Sequence, residues 1–235
     1  MDKKAFLKNV RTWKSDVVRA ALAKDPGLAT YIDPTGKAPL HHCAATNAAK
    51  SGLKTKDSIK TARSLLEAGA DVNAIRVIID DGEKFHASPL WYAIAWGKNA
   101  KLGRFLLENG SKPHNCMWAA TWDQDLETTG LLLAYGADVD PVFHNETPLL
   151  QLVRSKRLRL LGWLIKNGAN INFQDEKGYT PLHYAIRRNY TLAQVEELLK
   201  NGANPILKAH DGRNPVTLAA ELGKTKLVAL LERFS

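Results

Sequence analysis

The chain contains 235 residues, 45% of them hydrophobic, and its formal net charge at pH 7 is +9. The positive charge favours acidic partners or surfaces, and the two cysteines, Cys43 and Cys116, are too far apart to indicate a disulfide framework. No stretch approaches the ~20 consecutive apolar residues of a membrane-spanning helix, and the first residues lack the apolar core of a secretory signal. We therefore expect a cytoplasmic protein, with a nuclear protein or an effector secreted without a cleavable signal as alternatives.

Residues 1–32 are predicted to form an N-terminal capping unit. Val17, Val18, Ala21 and Leu22 follow the spacing of one helix face. The many Lys and Arg residues around them suit a terminal unit, because the outer face of such a unit must be polar.

Residues 33–82 are predicted to form a repeat lengthened by an insertion, and a second insertion leads into the next repeat. The segment 47–58 is polar, small and basic, and it predicts either a longer helix or a flexible protrusion. The segment 74–87 contains the run Arg-Val-Ile-Ile-Asp-Asp-Gly, which is typical of a strand entering a tight turn. We expect an elongated β-hairpin there.

The two repeats that follow differ in the loop that precedes their helices. Residues 83–115 restart a helix pair at Ser88-Pro89, since a hydroxyl caps free backbone N–H groups and proline suits the first helical position. Residues 116–141 follow too closely to hold a full hairpin. We expect that repeat to keep both helices but to have an abbreviated hairpin.

The C-terminal half is regular, with repeats at 142–174 and 175–208 and a C-terminal capping repeat at 209–235. In the second of these, Thr180-Pro181 starts one helix, and Thr191 with Gln194 predicts a capping box for the next. The residues predicted to face inward are Leu182, Ala185, Ile186, Leu192, Val195, Leu198 and Leu199.

The same short sequence motifs recur in these units at a nearly constant spacing. Thr147-Pro148, Thr180-Pro181 and Asn214-Pro215 lie 33 and 34 residues apart, and Gly-Ala-Asp or Gly-Ala-Asn closes most helix pairs. A period near 33 with T-P-L-H-x-A is the ankyrin signature, so the chain resembles the ankyrin-repeat family over nearly its whole length. The resemblance implies a single all-α (α-solenoid) domain over 1–235. It would have about six to seven pairs of antiparallel helices, β-hairpin fingers and irregular second and third units.

The resemblance also implies a non-enzymatic protein–protein interaction module without cofactor or metal. In this family the finger tips and the exposed ends of the first helices line a concave face that binds the partner. Aromatic residues and arginines are the types that dominate interfaces. The helix-end candidates are Trp96, Trp122, Arg154, Arg187 and Arg188, and the finger-tip candidates are Phe85, Phe143, His144, Tyr179 and Arg213.

Each candidate has a structural alternative. The two tryptophans could support the shortened repeat by packing internally, and the arginines could be an ordinary solvated face. His41 and His183 fall on the family's histidine position, where the resemblance implies a structural hydrogen-bonding role. The pairs His41/Cys43 and His114/Cys116 lack the spacing of a closed zinc site, so no catalytic or metal-binding residue is predicted.

Two functions follow from these patterns. The favoured one is a monomer that binds another protein, recognising an acidic segment of that protein that carries an apolar anchor residue. The alternative is nucleic-acid or phosphate binding through the basic surface. The positive residues, however, are spread over the chain, and no nucleic-acid motif is present.

Overall fold

The computed structural model describes all 235 residues, which form fifteen α-helices and one two-stranded hairpin. The helices are α1 (Lys3–Arg11), α2 (Ser15–Lys24), α3 (Pro39–Ala45), α4 (Ala48–Ser51), α5 (Thr55–Glu67), α6 (Pro89–Ala95), α7 (Ala100–Glu108), α8 (Cys116–Trp122), α9 (Leu126–Ala134), α10 (Pro148–Arg154), α11 (Leu161–Lys166), α12 (Pro181–Arg187), α13 (Leu192–Lys200), α14 (Pro215–Glu221) and α15 (Thr225–Glu232). The strands are β1 (Arg76–Asp80) and β2 (Glu83–Ala87), and short 3-10 helices occupy Pro26–Thr30 and Leu158–Leu160. None of the helices combines the length and the apolar character needed to cross a membrane.

The helix boundaries follow the start and stop residues of the sequence. Thr180 accepts a hydrogen bond from the His183 backbone N–H at 3.4 Å, and Pro181 opens α12. Its partner α13 ends before Gly202, whose φ of +91° suits glycine at a helix C-terminus. With α1–α2 and α3–α5 counted as pairs, the chain has seven helix pairs, which confirms the predicted number.

The chain separates into two compact units, Met1–Asp138 and Val139–Ser235. In the first unit the first helices α1, α3, α6 and α8 pack successively in one row, and the second helices α2, α5 and α7 pack successively in another. The second unit has the same arrangement, with α10, α12 and α14 in one row. The core of the second unit is built from leucine, valine, isoleucine and alanine side chains, which come mainly from its first and second helices. The predicted single domain over 1–235 stays a prediction.

Two residues predicted to face inward do not. Val17 is 40% exposed, whereas Val18, Ala21 and Leu22 are buried. The buried residues lie on one face of α2, and Val17, which precedes Val18 by one position, points away from that face. Leu192 is 43% exposed, since it is the first residue of α13 and lies at the rim of the repeat.

The insertions are both ordered. Residues 47–58 bear out the longer helix, since Thr55–Ser58 are the first four residues of α5, whose 13 residues make it the longest helix of the chain. Before α5 lie the one-turn helix α4, which Asn47 caps, and the short loop 52–54. The segment 74–87 forms the predicted hairpin, in which Asp80 pairs with Glu83 around an Asp81-Gly82 turn.

The finger before α8 is abbreviated, as predicted. The connection from α7 to α8 is residues 109–115, and its last five residues, 111–115, stand where a finger would be and form no strand. The hairpin β1–β2 therefore has no second hairpin beside it on that side.

Candidate partner-binding surface

Two buried histidines join a first helix to the finger of the next repeat. Nδ1 of His183 accepts the Thr180 backbone N–H at 3.1 Å, so its Nε2 carries the proton and donates to the Arg213 carbonyl at 3.3 Å. His41 makes the same bonds to Ala38 (3.0 Å) and Ala87 (3.2 Å). Burial lowers the pKa of both imidazoles, that of His41 to about 4. The structural role that the resemblance implied is confirmed.

In the first unit, Trp96 lies at the end of α6 and is 58% exposed. Its ring centre is 6.0 Å from that of Tyr92, which is fully buried one turn earlier. The Lys37 ammonium lies 5.0 Å from the Tyr92 ring and 6.0 Å from the Trp96 ring. One side of the Trp96 ring therefore contacts Tyr92 of its own helix, and the remainder is exposed to solvent next to the Lys37 ammonium.

Trp122 lies at the corresponding helix end of the next repeat, one position before Asp123, the residue equivalent to Trp96. It is the last residue of α8, which packs against α6, and it is 46% exposed. An ion pair between Lys98 and Asp123 connects the loops that follow the two helices. The two helix ends therefore belong to one surface of the first unit, the tryptophan surface, formed by Trp96, Trp122 and the neighbouring Lys37.

Phe85 was predicted to be a finger-tip residue, and its position corrects that expectation. It pairs with Ile78 inside the hairpin, whereas the tip is Asp81-Gly82. Its side chain is 8% exposed, and its ring centre lies 5.0 Å from that of Trp91. Strand residues alternate between two faces, and Phe85 is on the face turned toward α6, so it supports the helix and does not face a partner.

In the second unit, each finger contacts the end of its own first helix through residues that are eight positions apart. The residue just before the helix cap meets the residue at the helix end in three successive repeats. These pairs are Glu146 with Arg154 (an ion pair), Tyr179 with Arg187 (guanidinium carbon 5.3 Å from the ring centre) and Arg213 with Glu221 (3.4 Å). Finger residues and helix ends therefore lie side by side within each repeat.

These contacts divide the arginines into two classes. Arg154 is paired with Glu146 and lies 5.2 Å from the Tyr184 ring centre, while Arg213 is paired with Asp211 and Glu221. Arg187 and Arg188 are exposed at the end of α12 and form no ion pair. We call Arg187 and Arg188 the arginine surface.

Tyr179, the second predicted tip residue that needs correction, is buried at 4% exposure. Its ring stacks on His183 with centres 5.2 Å apart and planes 4° apart. Its hydroxyl donates to Asp211 Oδ2 at 2.8 Å and accepts from Arg213 at 2.8 Å. Hydrogen bonds from Arg213 and Tyr179 hold the pKa of the Asp211 carboxyl well below its usual value. Tyr179 therefore positions Arg187 through its ring and Arg213 through its hydroxyl.

The finger before α10 bears out the expected position of His144. His144 and Asn145 form its two-residue turn with positive φ values of +49° and +55°, and Phe143 and Glu146 exchange backbone hydrogen bonds of 3.1 and 3.0 Å. His144 is exposed and Phe143 is half-buried, with ring centres 4.0 Å apart.

Sequence reasoning missed a buried polar group at the start of the second helix pair. His42 Nε2 lies 2.7 Å from Asp33 Oδ2, and Arg11 Nε donates to His42 Nδ1 at 3.1 Å. Asp33 Oδ1 also accepts bonds from Thr35 and from the Lys37 backbone, and these bonds lower the pKa of the carboxyl despite its burial. Asp175 repeats the loop contacts and accepts the Tyr184 hydroxyl at 2.5 Å. The Asp-x-x-Gly spacing shared by both loops was the available signal.

The thiols show no sign of reactivity. Cys43 and Cys116 are both fully buried, and burial raises the pKa of each thiol well above its usual value. No group of three or more His, Cys, Asp or Glu side chains is placed to hold a metal ion.

Comparison with known proteins decides the family. The family described as "Ankyrin repeats (3 copies)" matches residues 116–209 and 149–233, which together cover half of the chain. The chain belongs to the ankyrin-repeat family. Ankyrin repeats are generally protein-binding modules and non-enzymatic scaffolds, and their paired helices and fingers account for the architecture above.

Similar sequences are parts of much longer proteins. The chain is 41% identical over 80 residues, 34% of its length, to the 2-5A-dependent ribonuclease of Homo sapiens, of which that stretch is 11%. It is 38% identical over 118 residues, 49% of its length, to the Arf-GAP with coiled-coil, ANK repeat and PH domain-containing protein 2 of Gallus gallus, of which the match is 15%.

Solved ankyrin domains share the fold over almost the entire chain. The ankyrin repeat domain of Bcl-3 superposes with a TM-score of 0.73 at 22% identity and covers 97% of both chains. The human ASB11 ankyrin repeat domain gives a TM-score of 0.67 at 22% identity, covering 98% of this chain and 97% of its own. At this identity the similarity concerns the fold alone.

Proposed function

We propose that this ankyrin chain is a non-enzymatic module that binds an acidic segment of another protein, with an apolar side chain of that segment on the tryptophan surface. The observation that carries the proposal is the pair of exposed tryptophans, Trp96 at 58% and Trp122 at 46%, at equivalent helix ends. Tryptophan is enriched among residues that dominate binding energy, because it buries a large area with few rotatable bonds.

The cation beside this surface supports the acidic character of the partner. The Lys37 ammonium lies over the Tyr92 and Trp96 rings, and burial together with the nearby Arg76 lowers the pKa of this lysine. An arriving carboxylate would relieve the repulsion between these cations and form a charge-assisted hydrogen bond.

The arginine surface supports the same chemistry in the second unit. Arg154 and Arg213 already have carboxylate partners, whereas Arg187 and Arg188 have none. Arg187 is held against Tyr179, so its guanidinium loses less conformational freedom on binding a carboxylate. We propose Arg187 and Arg188 as the contacts for acidic side chains there, with Phe143, His144, Arg154 and Arg213 as neighbouring contacts.

The test begins with co-purification from the native cell and identification of the partner by mass spectrometry. Isothermal titration then compares the purified partner's affinity for the unaltered chain, for Trp96→Ala and for Arg187→Glu with Arg188→Glu. Each variant should weaken binding by about ten-fold or more, the range of a dominant interface residue. Ile206→Ala and Arg19→Glu are matched controls at exposed positions that belong to neither surface. Unchanged affinity of the first two variants would overturn the assignment. Tight binding to oligonucleotides with a steep salt dependence would favour a nucleic-acid partner instead.

A further inference from the structure

The outer edge of β2 carries backbone groups that have no partner strand. Asp80 and Glu83 flank the two-residue turn and form its hydrogen-bonded pair, so the next bonded pairs are Ile78–Phe85 and Arg76–Ala87. Lys84 and His86 therefore direct their backbone N–H and C=O groups away from β1. The His86 carbonyl accepts a bond from Asn115 Nδ2 at 3.4 Å, which is consistent with that direction.

This edge borders the place of the abbreviated finger. Asn115 belongs to the loop 111–115 that replaces the finger. Elsewhere in the chain neighbouring fingers bond directly, as where the His210 backbone N–H donates to the Lys177 carbonyl at 2.9 Å. Beside β2 no finger strand is available for such a bond. The position is thus free for a strand from outside.

A cleft of about 370 Å³ opens at the base of the same edge. Its lining includes Lys112, His86 and His114 and contains no acidic side chain. The cleft is therefore suited to carboxylates. The hairpin face that carries Lys84 and His86 also exposes their pairing partners, Ile79 at 63% and Val77 at 50%, which is a large exposure for branched strand residues.

We propose that the outer edge of β2 binds an extended acidic segment of a partner protein as an added strand. Main-chain bonds to Lys84 and His86 would supply the affinity, and carboxylates opposite Lys84 and near Lys112 would supply the specificity. A second copy of the chain does not fit this site, because pairing of two β2 edges would bring their Lys84 side chains and basic clefts together. The site shares no residue with the tryptophan surface or the arginine surface.

The probe is an acetylated, fluorescein-labelled heptapeptide that alternates glutamate and valine, titrated against the full chain by fluorescence polarisation. The decisive pair of variants is Lys84→Pro and Lys84→Thr. Both remove the charge, but only proline removes the outward N–H, and neither removes a bond to β1. Lys112→Glu tests the cleft, and a peptide with glutamine in place of glutamate tests the charge. Hydrogen exchange followed by NMR reports on the Lys84 and His86 amides.

The proposal predicts measurable binding, slowed exchange of both amides, and an affinity for Lys84→Pro that is about ten-fold lower than that of Lys84→Thr. Lys112→Glu should bind the glutamate peptide more weakly than the unaltered chain does, and the unaltered chain should bind the glutamine peptide more weakly than the glutamate peptide. Trp96→Ala and Arg187→Glu with Arg188→Glu should bind the peptide normally, so this test is independent of the proposed function. Absence of binding at about 1 mM peptide, equal affinity of the two Lys84 variants, or a chain that dimerises through this edge would overturn it.

Discussion

The Arg187 guanidinium lies 5.3 Å from the ring centre of Tyr179, the residue eight positions earlier on the same repeat's finger. The corresponding positions of the two neighbouring repeats hold Glu146 with Arg154 and Arg213 with Glu221. The finger residue and the helix-end residue eight positions later are thus in contact in all three repeats, although the residue types that form the contact differ. Only in the middle repeat is the helix-end cation left without a carboxylate, and there we propose that it serves a partner.

Tyr179 is predicted to contribute mainly to stability, since it is buried beneath Arg187 and stacked on His183. Tyr179→Ala should lower the free energy of unfolding by about 3 kcal/mol or more, the usual cost of removing a buried aromatic side chain. Urea denaturation followed by circular dichroism measures it. Tyr135→Ala, at a position 41% exposed, should cost less than about 1 kcal/mol. Equal effects of the two substitutions would contradict the buried role of Tyr179.

Stability is predicted to fall as pH drops from about 6.5 toward 4, because His41 has a lowered pKa of about 4 in the folded chain. The unfolded imidazole has a pKa near 6.5, so below that pH the unfolded chain binds the proton that folded His41 rejects. The contribution is therefore complete above about pH 6.5 and decreases by up to about 1.4 kcal/mol per pH unit below it. His183, with its pKa also lowered by burial, acts in the same direction.

Urea denaturation at about pH 7 and about pH 5 measures this dependence. His41→Gln should reduce the difference between the two pH values, whereas His210→Gln, at an exposed position, should leave it unchanged. A chain equally stable at both pH values, or a His41→Gln variant with the full dependence, would refute the assignment to His41.

Asp33 is predicted to stabilise the first unit through His42 and the loop that follows it. Asp33→Ala removes the acceptor of the His42 bond at 2.7 Å and of the backbone bonds from Thr35 and Lys37. A loss of roughly 2–3 kcal/mol is expected, since hydrogen bonds to a buried charge are stronger than neutral ones. Asp16→Ala, which breaks only an exposed pair with Arg19, is the control and should cost less than about 1 kcal/mol. Similar melting temperatures for both variants would count against the role of Asp33.

Much of the fold can be predicted from the sequence, because the repeat places its start and stop residues at fixed positions. Thr180-Pro181 and Gly202 bound a helix pair without reference to the remainder of the chain. The hairpin follows from the Asp81-Gly82 turn, and the abbreviated finger follows from simple counting. These features depend on local backbone chemistry, which each segment carries by itself.

The direction of individual side chains is harder to predict, because it depends on neighbouring segments. Phe85 and Tyr179 fall at finger positions in the sequence, yet Trp91 and His183 bury them. Arg154 and Arg213 each pair with an acid eight residues away, on the other side of a helix cap, and Arg213 pairs with Asp211 as well. Trp96, Trp122, Arg187 and Arg188 keep the exposure that partner binding requires.

The most direct test of partner binding is site-specific photocrosslinking in the native cell. A photoreactive phenylalanine analogue would replace Trp96 in one version of the chain and Ile206, which is 54% exposed in the second unit, in another. We predict that position 96 crosslinks to one protein and that addition of Arg187→Glu with Arg188→Glu reduces the yield. Equal crosslinking from position 206, or none from position 96 while the partner still co-purifies, would contradict the proposed surface.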